Sequence, residues 1–219
     1  MLSDKRSVVF LVLSGIFITN ALVAEMIGGK LIQVAGITLS LGILPWPIVF
    51  LTTDLINEYF GKEGVRKITL LTAFLILYVF IVLYLGVQIQ AVSFSPVSDE
   101  AFQQVFGQSM WIIFGSIIAF LASQLLDVVV FTFFKSKTQD KHIWLRATGS
   151  TIISQLIDSF IVLAIGFYLP GKITLAEFWQ IGISGYTCKL IIAILLTPLI
   201  YAGHFLIHAY LDDKKNVIY

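Results

Sequence analysis

Three acids and one lysine interrupt long apolar stretches of the sequence. Asp54, Asp127, Asp158 and Lys189 each stand within about 20 or more mostly apolar residues, the length that crosses the hydrocarbon core of a bilayer. An ionisable side chain at that depth costs about 2.5–3.5 kcal/mol on insertion scales, so the four would together cost about 10–14 kcal/mol if they faced lipid. We therefore expect all four to point inward, toward one another or toward a polar ligand.

Two of the acids belong to a short sequence echo. The string SQLLD at 123–127 recurs as SQLID at 154–158, and in both strings Gln and Ser lie three and four residues before Asp, on one helix face. Five residues indicate at most a weak internal repeat. Counted at 1.5 Å per residue from the expected helix ends, the acids and the lysine fall in one central band. We predict one substrate-binding site made of Gln124, Asp127, Gln155, Asp158 and Lys189.

A simpler interpretation is that these polar groups only hold helices together. Serines and glutamines bridge neighbouring helices in membranes, and Lys189 could neutralise Asp158. For the serines this interpretation is favoured. For the acids we favour a function, because Ser, Thr or Asn can join helices without the cost of ionisation.

A second polar face precedes a glycine and a lysine. Asp54, Asn57 and Glu58 are spaced i, i+3 and i+4, and Gly61 and Lys62 follow. This pattern is typical of a helix C-terminus that stops at glycine before a basic loop. It equally suits a cytoplasmic gate or a carboxylate linked to proton movement, and the sequence leaves both open.

The sequence predicts no metal site and no cofactor. The single cysteine, Cys188, excludes an intrachain disulfide, and His204 and His208 lack a third ligand nearby, so interfacial anchors are expected there. No G-x(4)-G-K-[ST] motif for nucleotide hydrolysis is present, and nothing resembles the Gly-x-Gly-Asp motif of an intramembrane aspartyl enzyme. We therefore expect a protein that is not an enzyme. Glu25 and Lys30 are expected at a solvated mouth.

Composition explains which elements must position these groups. Of 219 residues, 58% are hydrophobic and 12% are charged, against about 25% in a soluble domain. The apolar surface must therefore face lipid, and the net charge of +1 argues against a nucleic-acid partner. We predict an all-α polytopic membrane protein that forms a single transmembrane domain. Its six predicted spans are 8–28, 42–60, 66–90, 109–134, 147–169 and 178–207.

The distribution of cations orients these spans. Eleven of the fourteen Lys and Arg residues fall on one side, which the positive-inside rule makes cytoplasmic together with both termini. They are Lys5, Arg6, Lys62, Arg66, Lys67, Lys135, Lys137, Lys141, Arg146, Lys214 and Lys215. The first span could be a cleavable signal peptide, but a retained helix keeps the charge alternation. Small residues such as Gly115 and Ala119 would permit a homodimer.

Two blocks of the sequence resemble a known family. TDLINEYFGK at 53–62 resembles the T-D-x-x-N-E-x-[YF]-G-K signature of queuosine precursor transporters, also classed as vitamin uptake transporters. The region 144–158 is similar to the family pattern W-L-R-x(3)-S-T-x(2)-S-Q-x(2)-D. The last span agrees at Tyr186, Lys189, Ala193, Thr197, Pro198 and Tyr201.

The resemblance implies a bacterial inner-membrane importer of 7-cyano- or 7-aminomethyl-7-deazaguanine, which cells salvage to make the tRNA nucleoside queuosine. A carboxylate can accept hydrogen bonds from the N1–H and amine of a guanine edge, while O6 calls for a Gln amide or Lys ammonium. The flat ring calls for an aromatic face that the sequence does not identify. The alternative is a substrate-binding membrane subunit of an ATP-driven uptake system.

Overall fold

The computed structural model describes residues 4–34, 37–107, 110–138 and 143–212. Most of them form helices. A 3₁₀ turn at Leu41–Ile43 precedes α2, and a turn of π-helix at Ala164–Tyr168 follows α5. In chain order the elements are α1 (Lys5–Ile27), β1 (Leu31–Val34), β2 (Ile37–Ser40), α2 (Trp46–Gln88), α3 (Asp99–Phe106), α4 (Met110–Thr138), α5 (Ile143–Leu163) and α6 (Leu175–Asp212).

Five helical segments among the described residues are long and apolar enough to cross a membrane. The predicted count of six is not confirmed, because the second and third predicted spans belong to one helical element, α2. Its 43 residues would extend about 65 Å as a straight helix, twice the thickness of a bilayer core. The other four predicted spans match α1, α4, α5 and α6, with ends that differ by a few residues.

The chain bends sharply within α2, at Gly61. This residue has φ 70° and ψ −178°, a backbone conformation that favours glycine. Beyond the bend, a Cβ atom on Gly64 would lie only 2.8 Å from Phe60 Cβ and 3.5 Å from Ile56 Cγ2. In a straight helix residues 56 and 64 would be about 12 Å apart along the axis. The two parts of α2, 46–60 and 62–88, are therefore separate helical segments.

Two features outside the five long helices were not predicted. The strands β1 and β2 form an antiparallel pair between α1 and α2, in the segment between the first two predicted spans. The helix α3 lies in the predicted loop 91–108. Its start has a sequence signal, because the Ser98 side chain accepts a hydrogen bond from the Ala101 N–H, and two acids follow in the first turn.

Cations and carbonyl groups meet at one end of the helices, which we call the basic end. There Lys5 Nζ donates to the Tyr210 carbonyl over 2.8 Å, and Arg6 Nη2 donates to the Tyr59 carbonyl over 2.6 Å. Lys135 donates to the Glu58 carbonyl over 3.3 Å. The N-terminus of α1, the bend of α2 and the C-terminal parts of α4 and α6 therefore lie together.

The interior combines an apolar cluster with a polar centre. Phe17 of α1, Ile56 of α2 and Phe120 of α4 are buried in the main apolar cluster. Several polar side chains are buried as completely, which is unusual for a soluble core but expected around a path through a membrane. They are Thr53, Gln124, Asp127, Ser123, Ser150 and Ser154.

Candidate functional site

The sequence echo joins α4 and α5 by reciprocal hydrogen bonds. The Ser123 hydroxyl of α4 donates to Asp158 Oδ1 of α5 over 3.4 Å, and the Ser154 hydroxyl of α5 donates to Asp127 Oδ1 of α4 over 3.0 Å. Each serine thus serves the aspartate of the other string. This pairing requires antiparallel helices, as the sequence predicted, and the serines do bridge neighbouring helices.

The predicted single site divides into two levels along the helices. Lys189 Nζ of α6 lies 2.7 Å from Asp158 Oδ2, and this ion pair forms the first level. Asp127 contacts Ser154, which lies four residues before Asp158 and therefore about 6 Å along the helix. Estimates of depth from expected helix ends could not resolve a separation of one helical turn.

Asp127 belongs with Asp54 at the second level. The neighbour of Asp54, Thr53, donates to Gln124 Oε1 over 3.1 Å and so joins α2 to α4. Asp54 and Asp127 are 3% and 0% exposed and interact electrostatically. The structure therefore places two buried carboxylates of different helices within electrostatic range of each other.

A cavity opens between the first part of α2, α5 and α6. It is partly open, and about 40 Å³ of it can hold the centre of a water molecule. Its polar wall comes from Asp54, Thr148, Thr151, Gln155 and Lys189. Most of the remaining wall is apolar, from Ile43, Pro47, Leu51, Ala147, Ile192, Ala193, Leu196 and Ile200.

The cavity separates the predicted binding residues into two groups. Gln155 and Lys189 line it, whereas Gln124, Asp127 and Asp158 do not and are buried behind its wall. Asp54, which the sequence assigned to a gate or to coupling, is among the residues that line the cavity. The carboxylate available to a ligand in this cavity is therefore that of Asp54.

Two polar atoms of the cavity residues have no hydrogen-bond partner among the described residues. They are Asp54 Oδ1, an acceptor, and Gln155 Nε2, a donor. Leaving a buried polar group unpaired costs about 1–3 kcal/mol, so such atoms call for a ligand or water. Both residues line the cavity together with Lys189.

Trp46 and Phe50 supply the aromatic part of the cavity wall. Both line it, and their ring centroids are 5.9 Å apart with an interplanar angle of 29°. The sequence analysis did not single out these rings. Their spacing of four residues on one helix face could have indicated an aromatic pair.

At the basic end Glu58 joins three helices through ion pairs. Its Oε1 lies 2.7 Å from Arg146 Nη2 of α5, and its Oε2 lies 3.3 Å from Lys135 Nζ of α4. Arg146 is only 2% exposed. Asn57, buried one position before Glu58, has no partner for its Nδ2 atom among the described residues. The polar face of Asp54, Asn57 and Glu58 thus runs from the cavity to this cluster.

A tyrosine and a histidine join α2 to α6 at the same end. The Tyr59 hydroxyl lies 2.9 Å from His204 Nδ1 and 3.0 Å from the His204 carbonyl. The rings of His204 and His208 are 6.0 Å apart. His204 therefore contacts another helix of the protein.

Glu25 departs from its predicted place in a solvated mouth. It is half-buried, accepts a hydrogen bond from Ser116 of α4 and lies within electrostatic reach of Asp158 and Lys189. Lys30 is exposed, as expected. The carboxylate of Glu25 therefore belongs to the packed helices rather than to the surface.

Residues 40–203 match the family described as "Putative vitamin uptake transporter". A "Probable queuosine precursor transporter" of Bacillus subtilis (strain 168) is 34% identical over 176 residues, covering 80% of this chain and 75% of that protein. A second protein with this name, from Haemophilus influenzae (strain ATCC 51907 / DSM 11121 / KW20 / Rd), is 33% identical over 159 residues. The match covers 71% of this chain and 63% of that protein.

A "Queuosine precursor transporter" of Escherichia coli (strain K12) is 29% identical over 168 residues, covering 74% of this chain and 71% of that protein. No solved structure is significantly similar to the chain. The family match covers the cavity, the echo and the cluster at the basic end. The chain belongs to the vitamin uptake transporter family.

Proposed function

We propose that this protein imports queuosine precursors, the 7-cyano- and 7-aminomethyl-7-deazaguanines, across the bacterial inner membrane. The observation that carries the proposal is the cavity with an unpaired carboxylate oxygen of Asp54, an unpaired amide of Gln155 and the rings of Trp46 and Phe50. The names of the relatives support this cargo. An importer of a small ring needs this combination of edge recognition and stacking.

The polar wall suits the edge of a guanine-like ring. The Asp54 carboxylate accepts hydrogen bonds from the ring N1–H and the exocyclic amine, which stand side by side. Gln155 Nε2 and Lys189 Nζ are donors for O6. A base without this edge leaves buried groups of the protein unpaired, and a site of this kind rejects such a base strongly.

The aromatic wall suits the flat face of the same ring. Trp46 lies at the start of α2 and stacks on Phe50. Stacking of a base on an aromatic side chain contributes about 1–3 kcal/mol by alanine substitution. Trp46 is the residue that we assign to this role.

Two of the predicted binding residues, Asp158 and Gln124, do not line the cavity and act by holding other side chains. Asp158 holds the ammonium group of Lys189, and Gln124 holds Thr53 beside Asp54. Asp158 and Gln124 are therefore positioning residues.

The ion pairs of Glu58 and the contact of Tyr59 at the basic end serve as the gate. The ion pairs of Glu58 tie α2 to α4 and α5, and Tyr59 ties α2 to α6. These contacts close the space between the helices that surround the cavity. Their separation opens a path along Asn57 toward the cytoplasm.

Six crossings fit this function. The bend at Gly61 divides α2 into two spans, of which 46–60 lines the cavity and 62–88 faces lipid on one side. Both termini then lie on the cytoplasmic side with the basic end. The chain acts as one membrane domain and catalyses no reaction.

Uptake into proteoliposomes of the purified chain tests the proposal. Labelled 7-cyano-7-deazaguanine or its aminomethyl analogue should enter the liposomes in the presence of wild-type protein. An excess of the unlabelled compound should reduce this uptake. Gln155→Ala should lose at least tenfold in uptake at low substrate concentration, whereas Gln104→Ala, on the exposed surface of α3, should retain it. No uptake of either compound, or equal uptake by Gln155→Ala, would overturn the proposal. Uptake that needs ATP and a second protein would instead identify a binding subunit.

A further inference from the structure

The first part of α6 is bound to α5. The Tyr186 hydroxyl donates to the Ile152 carbonyl over 3.2 Å, and the hydroxyl oxygens of Thr197 and Thr148 lie 3.1 Å apart. The ion pair of Lys189 with α5 lies between these two contacts along the helix. Between this part of α6 and α2 lies the cavity. Polar contacts with α5 therefore hold the first part of α6 in place.

The second part of α6 is bound to α2 instead. The His204 carbonyl accepts a hydrogen bond from the Tyr59 hydroxyl over 3.0 Å. A Cβ atom at Gly203 would lie only 2.9 Å from Leu55 Cδ1, so α6 approaches α2 closely there. The helix whose contacts hold α6 therefore changes from α5 to α2 between residues 197 and 203.

A proline stands where this change takes place. Pro198 lies inside α6 and has no N–H group, so it donates no hydrogen bond to the carbonyl of Ile194. The Thr197 hydroxyl lies 3.4 Å from the Ala193 carbonyl, and such contacts often bend helices. Because one backbone hydrogen bond is already absent, bending costs less at this turn than elsewhere in the helix.

The part of α6 beyond the proline is loosely enclosed. Most of its side chains are exposed, among them Phe205 and Leu206. An apolar cleft lies between it and α1, lined by Val8, Val12, Leu206 and Ile207, and about 360 Å³ of this cleft can hold the centre of a water molecule. The cleft gives residues 199–212 room to move.

Movement of this part would open the cavity. Beyond Pro198, Ile200 lines the cavity toward the basic end and is buried with Phe131 of α4 and Ala147 of α5. As it stands, the cavity holds little more than water, so a wall must move before a two-ring base can pass. A swing of residues 199–212 away from α2 removes Ile200 from this wall.

We propose that Pro198 is a hinge, and that residues 199–212 of α6 swing away from α2 to open the cavity at the basic end. The inference rests on the proposed import function and names the moving element of its gate. The hydrogen bond between Tyr59 and His204 joins neutral groups, whereas Glu58 is held by two ion pairs. The contact of Tyr59 therefore breaks before those of Glu58.

Uptake and binding of 7-cyano-7-deazaguanine distinguish a hinge from a binding residue. Pro198→Ala restores the N–H group and stiffens α6, so the maximal rate of uptake into proteoliposomes should fall at least fivefold while Kd stays within about twofold. Pro96→Ala changes an exposed proline before α3 and should leave both unchanged. An unchanged rate in Pro198→Ala, or a loss of affinity as large as the loss of rate, would overturn the hinge.

Distances between spin labels on the purified protein test the movement without transport. In a Cys188→Ser background, one label is placed on Lys62→Cys and the second on Leu206→Cys, beyond the proline, or on Ile191→Cys, before it; all three positions are exposed. The pair with Leu206→Cys should show two distances whose proportions change with substrate, and the pair with Ile191→Cys should show one. Two distances in both pairs, or one in both, would overturn the hinge.

A reversible crosslink tests whether the movement is needed. Leu55 Cγ, which marks the place of Sγ in a cysteine, lies 3.8 Å from a Cβ atom at Gly203. In the Cys188→Ser background, oxidation of Leu55→Cys with Gly203→Cys should lower uptake at least tenfold, and a reductant should restore it. The same oxidant should leave the uptake of Leu55→Cys alone unchanged.

The outcomes separate the two proposals. Full uptake by the crosslinked protein would overturn the hinge and leave the import function intact. No uptake of either deazaguanine by wild-type protein would overturn the import function, and the label distances would still decide whether α6 bends at Pro198. They also decide if Pro198→Ala fails to fold, because they are measured with the proline present.

Discussion

The two strings of the echo place equivalent aspartates in opposite electrostatic situations. Asp158 accepts from the Ser123 hydroxyl and from the ammonium group of Lys189, whereas Asp127 accepts from the Ser154 hydroxyl and lies within electrostatic range of Asp54. The two strings differ only by Leu against Ile at the fourth position, so the difference comes from the third helix that each string meets. Asp158 therefore positions its cation, whereas Asp127 Oδ2 has no hydrogen-bond partner among the described residues.

The largest effect is expected from removal of the cation at the compensated level. Lys189→Met leaves Asp158 buried without its partner, and breaking a buried ion pair costs about 3–5 kcal/mol. Thermal unfolding in detergent should show this loss. Adding Asp158→Asn should restore most of the stability, because the uncompensated charge disappears. A single variant as stable as wild type would contradict the distinction between the two levels.

The next effect concerns substrate affinity and distinguishes Asp54 from Asp127. Asp54→Asn should weaken binding of 7-cyano-7-deazaguanine by about 10–100-fold, because a hydrogen bond to a charged group contributes about 1.5–3 kcal/mol. Asp127→Asn should change the affinity by only a few-fold, since Asp127 does not line the cavity. Calorimetry or thermal shift on purified protein measures both. Equal losses of affinity in the two variants would contradict the assignment of Asp54, and not Asp127, to the cavity wall.

A smaller effect is expected at the aromatic wall. Trp46→Ala should weaken binding by about 5–100-fold, in line with about 1–3 kcal/mol for a stacked base, while Trp46→Phe should retain part of the affinity. Trp111→Ala, which removes an exposed tryptophan, is the matched control. If both alanine variants bind as wild type does, the ring stacks elsewhere.

The smallest effect is expected at the reciprocal serines. Hydrogen bonds between membrane helices average about 0.6 kcal/mol, so Ser123→Ala and Ser154→Ala should each lower the unfolding temperature slightly. Ser154→Ala should cost more, because Asp127 has no cation to compensate for the lost donor. A larger loss at Ser123 would mean that the cation does not protect Asp158.

The sequence predicted the facing of the two strings, because helical spacing alone places Ser, Gln and Asp on one face. The sequence also indicated that Lys189 could neutralise Asp158. The division into two levels escaped it, since an uncertainty of one turn in helix ends equals the separation itself. The roles of Trp46 and Asp54 escaped it too, because the cavity arises from packing among α2, α5 and α6. The hairpin of β1 and β2 depends on short-range pairing that hydropathy does not reveal.

The most direct test of the account asks whether Asp54 reads the guanine edge. Equilibrium binding of 7-cyano-7-deazaguanine is compared with that of the analogue without the exocyclic amine, in wild-type protein and in Asp54→Asn. The account predicts at least tenfold discrimination by wild-type protein and its loss in the variant. The same discrimination in both proteins would contradict it.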